Sequence, residues 1–366
     1  MTTALPEGEA LAATDLNVKH SRFPGMAAMR ATSGFQRGML VFGLVVVLFF
    51  VVLAVFASWI APYGFDQTGE GAKIFPTQAA PSAQHWFGTT VDGFDVLSRV
   101  IFGAQTALEV VVLAVALSIV VGVPFGLLSG YFGGWFDRIA VLIADSLFAF
   151  PSLLLAIVVA VAISGGGSGK WSGIFATAVA ITAVYVPQYF RVVRNATVAA
   201  REEPYVEAAR AIGANPSAIM ARYVFGNVVQ TVPVIATLNA GDAILTLAGL
   251  GFLGVGIEPT AAAEWGHDLS TAVQNDVSNG FWWSGVYPGL AIVLLVLGVT
   301  LVGESLNDVL NPLLRTAKIT KVVLPGRRKK GLMHAHAARQ EAQPAATSGI
   351  EPGADPSAAS GRGADR

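Results

Sequence analysis

The chain has 366 residues, of which 54% are hydrophobic and only 13% charged. Soluble domains carry roughly 25% charged residues, so this deficit, with a mean hydropathy of +0.60, marks a membrane protein rather than a large soluble core. A net charge of −1 offers no bulk attraction to nucleic acid, and the absence of cysteine excludes disulfides, thiolate catalysis and zinc–sulfur sites.

Residues 1–38 form a polar lead and read as a cytoplasmic tail. The apolar run 39–60 follows; it exceeds the roughly 7–15 residues of a signal-peptide core and lacks a convincing small-x-small cleavage site. It reads as a retained membrane helix. A helix needs about 20 apolar residues to cross the hydrocarbon, and five more runs come close: 107–128, 139–163, 174–190, 229–249 and 287–303. The predicted fold class is an all-α membrane protein with about six transmembrane helices. Pro124, Pro151, Pro187 and Pro233 interrupt these runs, which membrane helices tolerate where neighbours satisfy the freed backbone.

The first helix is set off from a five-helix core, 107–315, by the polar loop 61–106, which is long enough for a small folded element. Within the core, the loop 191–228 is charged and helix-prone. The loop 250–286 has no Lys or Arg but holds Trp265, Trp282 and Trp283, which suit a membrane–water interface. The tail 316–366 is rich in Ala, Gly, Pro and Ser and reads as disordered; its Arg327–Lys330 cluster suits anionic lipid. With the N-terminus inside, twenty of the 23 Lys and Arg lie on the inner side, and only Lys73, Arg99 and Lys170 lie outside. That asymmetry predicts a multi-pass cell-membrane protein with both termini cytoplasmic.

The inner loop 201–217 is the most informative segment. Pro204 suits a first helical turn, Glu202 and Glu203 suit the positive end of a helix dipole, and Gly213 suits a left-handed stop. Asn215 and Pro216 then cap and open a second helix. Tyr205, Ala208, Ala209 and Ile212 are expected on one face, with Glu207 and Arg210 beside them. Two readings fit: a docking face for a partner, or an amphipathic helix lying on the bilayer.

The run Glu207-Ala208-Ala209-x-x-x-Gly213 resembles the EAA loop in membrane subunits of bacterial ABC importers. Gly88-Thr89-x-x-x-Gly93-x-Asp95-Val96-Leu97-Ser98-Arg99 is similar to the C-type permease subunit of dipeptide/oligopeptide importers. So are Gly251-Phe252-Leu253-Gly254-Val255-Gly256 with Trp265-Gly266, and Trp282-Trp283, Pro288-Gly289, Leu306-Asn307-Asp308 and Asn311-Pro312. The likeness covers about residues 40–315. Where the family has an Ile-Leu-Pro-Asn-like run, Val224-Phe225-Gly226-Asn227 stands; Leu247 replaces a common Glu, and Phe94 a usual Arg.

The resemblance implies a type I ABC importer permease fold carrying di- or oligopeptides. It implies a second homologous permease subunit, one or two cytoplasmic ATP-binding subunits, an extracytoplasmic substrate-binding protein and no nucleic acid. ATP and Mg would be held by the partner subunits and no cofactor by this chain. The ATPase contact would be made by Tyr205, Glu207, Ala208, Ala209, Arg210 and Gly213. Nickel or a haem-like cofactor is the alternative cargo. A self-sufficient secondary transporter is a further alternative, but it would call for inverted repeats, and none is visible.

Asp145 and Asp242 lie within apolar runs, where a charge costs at least about 2.5–3.5 kcal/mol. With Pro151 and Asn239 they are candidate translocation-path residues; structural hydrogen bonding, or access of Asp145 to water, is the other reading. Gly165-Gly166-Gly167-Ser168-Gly169-Lys170 lacks the first Gly and the Ser/Thr of a phosphate loop and reads as an external hairpin. The histidines are scattered, His334 and His336 lie in the tail, and no catalytic constellation or metal site is expected.

Overall fold

The computed structural model describes residues 34–164 and 169–310. Residues 1–33 of the expected tail 1–38, residues 165–168 of the glycine-rich hairpin, Asn311-Pro312 and the tail 316–366 lie outside the described residues. Helix α1 spans Gly34–Val55, then one short turn, Ala57–Ile60, and a two-stranded antiparallel hairpin pairing Gly69–Glu70 with Lys73–Ile74. Helices α2 (Val96–Phe132), α3 (Gly134–Phe148), α4 (Ser152–Ser164) and α5 (Lys170–Arg201) follow. Helices α6 (Pro204–Ala211) and α7 (Pro216–Ile219) come next. A π turn, a short α turn and a 3-10 turn carry α7 into α8 (Val232–Phe252). Helices α9 (Trp265–Asn275) and α10 (Trp283–Leu310) complete the described chain.

The packing of α2 on α5 organises the bundle. Gly122, Gly126 and Gly130 form a stripe at helical spacing along α2. A Cβ at Gly126 would stand 2.7 Å from the Phe190 carbonyl oxygen, and one at Gly130 would stand 2.7 Å from the Arg194 carbonyl oxygen. Only glycine permits that approach, and close backbone contact is a main source of helix association where lipid removes the hydrophobic drive.

The two helices run parallel. Lys170, opening α5, reaches Glu109 in the first half of α2 at 3.0 Å. Arg201, closing α5, donates to the Gly130 carbonyl at the far end of α2 at 2.9 Å. A chain that leaves α2 at one end and enters α5 at the other must cross in between, so the α3–α4 pair is a crossing and not a re-entrant loop. The two halves meet at 100° around Ala149–Pro151. The third predicted helix, 139–163, is therefore broken rather than continuous. Pro151 removes an N–H, and the residue before a proline is pushed out of the helical region.

Among the described residues, five helices long and apolar enough to cross a membrane and this bent pair make six spans. Trp283 donates its indole N–H to the Thr89 carbonyl at 3.2 Å, so α10 starts at the end where α2 starts. Gly43 of α1 packs on Gly298 of α10. The basic end carries Arg138, Arg191, Arg194, Arg201, Arg210 and Arg222; the opposite end carries residues 61–95 and α9.

The helices outrun the apolar runs: α1 begins at Gly34, inside the expected tail 1–38, α5 spans Lys170–Arg201 rather than 174–190, and α10 spans Trp283–Leu310 rather than 287–303. Helix α2 begins at Val96, ahead of the predicted 107, because Asp95 caps it: its carboxylate accepts from the Ser98 N–H and the Ser98 hydroxyl, both at 2.8 Å. At about 1.5 Å per residue, α2 is some 55 Å long and overshoots a roughly 30 Å hydrocarbon layer. The loop 250–286 contains α9, whose N-terminus is capped by Glu264.

Segment 61–95 is pinned down. His85 and Asp95 pair at 2.9 Å, Gln78 donates to Asp276 at 2.7 Å, and the Tyr63 N–H donates to Ser98 at 3.1 Å. Beneath it the Arg99 guanidinium, 2% exposed, donates to Asp268 at 2.8 Å and to the Phe65 carbonyl at 3.0 Å.

Candidate functional site

Helix α6 begins with Pro204 at its first position and stops where Gly213 adopts φ +81°. The Gly213 N–H bonds the Arg210 carbonyl and the Ala214 N–H bonds the Ala209 carbonyl, a left-handed termination that a Cβ would strain. Asn215 accepts from the Ser217 N–H and opens α7.

Helix α6 divides its side chains differently from the expectation. Val206 and Ala209 turn inward and are buried, whereas Tyr205, Ala208 and Ile212 face outward. Ala209 thus leaves the predicted face. Spacing defines a stripe but not its direction, and the more apolar Val206 takes the inner position. The outward stripe ends in Ile212, 84% exposed, an apolar side chain projecting from a charged loop. Glu207 and Arg210 are exposed beside it. The Asn227 amide donates to the Tyr205 hydroxyl, bracing α6 against the turn Phe225–Val228.

The candidate path residues do not form one cluster. Asp145, on α3, is exposed and bound by Arg191 at 2.6 Å, with that guanidinium 4.3 Å above the Phe148 ring. Pro151 marks the bend. Asn239 is 1% exposed, with its side chain beside that of Tyr189. Asp242, one turn along α8, is exposed and has no ion pair among the described residues.

Sequence reasoning passed over the contacts behind α6. Arg194 forks onto Asp137, with Nε donating at 2.5 Å and Nη2 at 2.6 Å, and the Ser129 hydroxyl donates to the same carboxylate. The Arg210 guanidinium lies 5.8 Å from the Tyr131 ring centroid. The available signal was the recurrence of arginine at 191, 194 and 201, just past an apolar run. At the other end, burial pushes the Glu264 carboxyl up to about 8. Among the described residues no group of His, Asp and Glu is arranged to hold a metal.

Residues 122–316 match the family of binding-protein-dependent transport system inner membrane components. Residues 35–81 match the N-terminal transmembrane domain of oligopeptide transport permease C. The chain belongs to this permease family. It is 36% identical to a dipeptide transport system permease protein of Alkalihalophilus pseudofirmus, over 75% of this chain and 86% of that one. It is 38% identical to a glutathione transport system permease protein of Escherichia coli, over 73% of this chain and 84% of that one. The six-helix bundle is thus a multi-pass membrane permease, and the Glu207–Gly213 stretch lies inside the matched region.

Proposed function

We propose that the chain is one transmembrane half of an ATP-driven importer of di- or oligopeptides, with α6 as its contact to a cytoplasmic ATP-hydrolysing subunit. The observation that carries this reading is the outward Tyr205, Ala208 and Ile212 stripe, backed by buried Val206 and Ala209 and held on two membrane helices. An exposed apolar stripe flanked by Glu207 and Arg210 has the composition of a docking patch rather than a solvated surface. The similarity to dipeptide and glutathione permeases supports a peptide cargo over nickel or a haem-like cofactor.

In this reading the basic end is cytoplasmic, both termini lie there, and segment 61–95 with α9 faces the substrate-binding protein. A second homologous permease subunit completes the path, and Asp242, Asn239, Asp145 and Pro151 stand along or beside it. ATP and Mg bind in the partner subunits, which carry out the hydrolysis, and this chain transmits conformation. ATP binding shifts the population of the permease through its differential affinity for the two states.

The test uses the assembled complex in proteoliposomes. Glu207→Arg and Gly213→Val should lower both ATPase co-purification and substrate-stimulated hydrolysis. Unchanged co-purification, hydrolysis and uptake in both variants would refute the assignment of α6.

A further inference from the structure

Helix α3 lies between two breaks in the helical course of the chain. It is entered through two consecutive left-handed glycines, Gly133 at φ +65° and Gly134 at φ +69°, and left through the bend at Ala149–Pro151. One face is tethered to α5 by charge. Arg194 forks onto Asp137 at 2.5 and 2.6 Å, and Arg191 binds Asp145 at 2.6 Å. The other face is packed only in part: Phe136 stacks on Phe125 of α2, ring centroids 6.4 Å apart. Beside that stack, Ala140, Ile143 and Leu147 line an apolar cleft of about 240 Å³, open at the surface of the bundle, that faces Val121 of α2 and Pro187 of α5. A helix hinged at both ends, tied on its polar flank and bordered by an open cleft on its apolar flank has room to move.

The tether leads back to α6. Arg201, three residues before Pro204, donates to the Gly130 carbonyl at 2.9 Å, and Arg210 lies over Tyr131. The glycine stripe locks α2 to α5, so a push on α6 moves both together rather than being absorbed between them. What such a push meets next is the carboxylate of Asp137, shared by Arg194 of α5 and Ser129 of α2.

We infer that Asp137 and Arg194 are positioning residues that carry the displacement of α6 to α3, which swings on its two hinges into the apolar cleft. This rests on the reading of α6 as the ATPase contact. A bidentate fork suits the task because it fixes orientation as well as distance, which a single lysine contact does not.

The chain has no cysteine, so labels can be placed cleanly. The experiment puts spin labels at Leu142→Cys on α3 and Val120→Cys on α2, both exposed, in the assembled complex in nanodiscs. The distance is measured nucleotide-free and with ATP bound. The parent should show an ATP-dependent shift. Asp137→Asn should lose it while its ATPase subunits still co-purify, and uptake per ATP should fall about tenfold, the size of an ordinary coupling energy. The exchange Asp137→Arg with Arg194→Asp should restore the shift. Ala140→Phe, which fills the cleft without touching the ion pair, should freeze the distance. Arg194→Lys keeps the charge but not the fork and should shift less than the parent; it serves if Asp137→Asn does not assemble. An ATP-hydrolysing parent with no shift, or a full shift in both Arg194→Lys and Ala140→Phe, would overturn the inference. A parent whose ATPase subunits do not co-purify would instead overturn the reading of α6, so the two failures are distinguishable.

Discussion

Arg99 and Asp268 join the start of α2 to α9 through a pair buried at both ends, with side chains 2% and 6% exposed. Removing one member leaves the other as an uncompensated buried charge, at a cost of about 3–5 kcal/mol. Arg99→Met should therefore lower the thermal midpoint of the purified permease sharply, and the double variant with Asp268→Leu should recover part of the loss; fluorescence-detected melting separates the two. Glu264 gives a pH prediction of definite sign. Burial raises its carboxyl from 4.5 to about 8, so the folded chain binds this proton more tightly than the unfolded one. Its contribution to stability is complete below about 4.5 and is lost as pH rises through 8. Melting temperature should fall across that window at the outer end. Glu264→Gln, which imitates the protonated cap, should flatten the profile. At this scale little was legible beforehand. Glu264, Asp268 and Asp137 are ordinary carboxylates in the sequence, and their partners stand far away in it: Arg99 is 169 residues from Asp268, and Arg194 is 57 from Asp137.

The helices themselves were legible, because hydrocarbon allows few ways to satisfy a backbone and each leaves a long apolar run. The α6–α7 turn was legible for another reason: Pro204, Gly213, Asn215 and Pro216 each act on local backbone geometry. Three features needed contacts that a pattern does not carry. The bend at Pro151 depends on what replaces the lost hydrogen bond, the early start of α2 on the Asp95 cap, and the inward turn of Ala209 on what lies beneath it. The glycine stripe is the element-scale claim most open to measurement. At Gly126 a side chain would meet both the Phe190 carbonyl and Val193. Overpacking of this kind costs about 1–3 kcal/mol, so Gly126→Val should reduce the folded yield and melting temperature. Gly226→Ala, where a Cβ meets nothing within 4 Å, should be neutral or slightly stabilising. Equal effects at the two sites would mean that α2 and α5 are not closely apposed.

For the molecule as a whole, sidedness decides whether any of the coupling argument is physically possible. The parallel course of α2 and α5 fixes only that the basic and opposite ends face opposite sides of the membrane. Which side is which rests on charge: among the described residues Lys73, Arg99 and Lys170 stand at the opposite end, and the remaining Lys and Arg stand at or near the basic end. In the proposed orientation, with Lys and Arg retained on the cytoplasmic side, α6 would meet the compartment that holds ATP. Lys73 in the hairpin and Ser217 in α7 are both exposed, and the parent has no cysteine to confuse the readout. Lys73→Cys should react with a membrane-impermeant maleimide in intact cells, whereas Ser217→Cys should react only after permeabilisation. A cysteine at Gly169, before α5, should behave like the one at Lys73, because α3–α4 crosses the membrane. Protection of Gly169→Cys together with labelling of Lys73→Cys would make the bent pair re-entrant and reverse α5. Arg201 and α6 would then lie on the outer face, beyond the reach of any cytoplasmic ATPase.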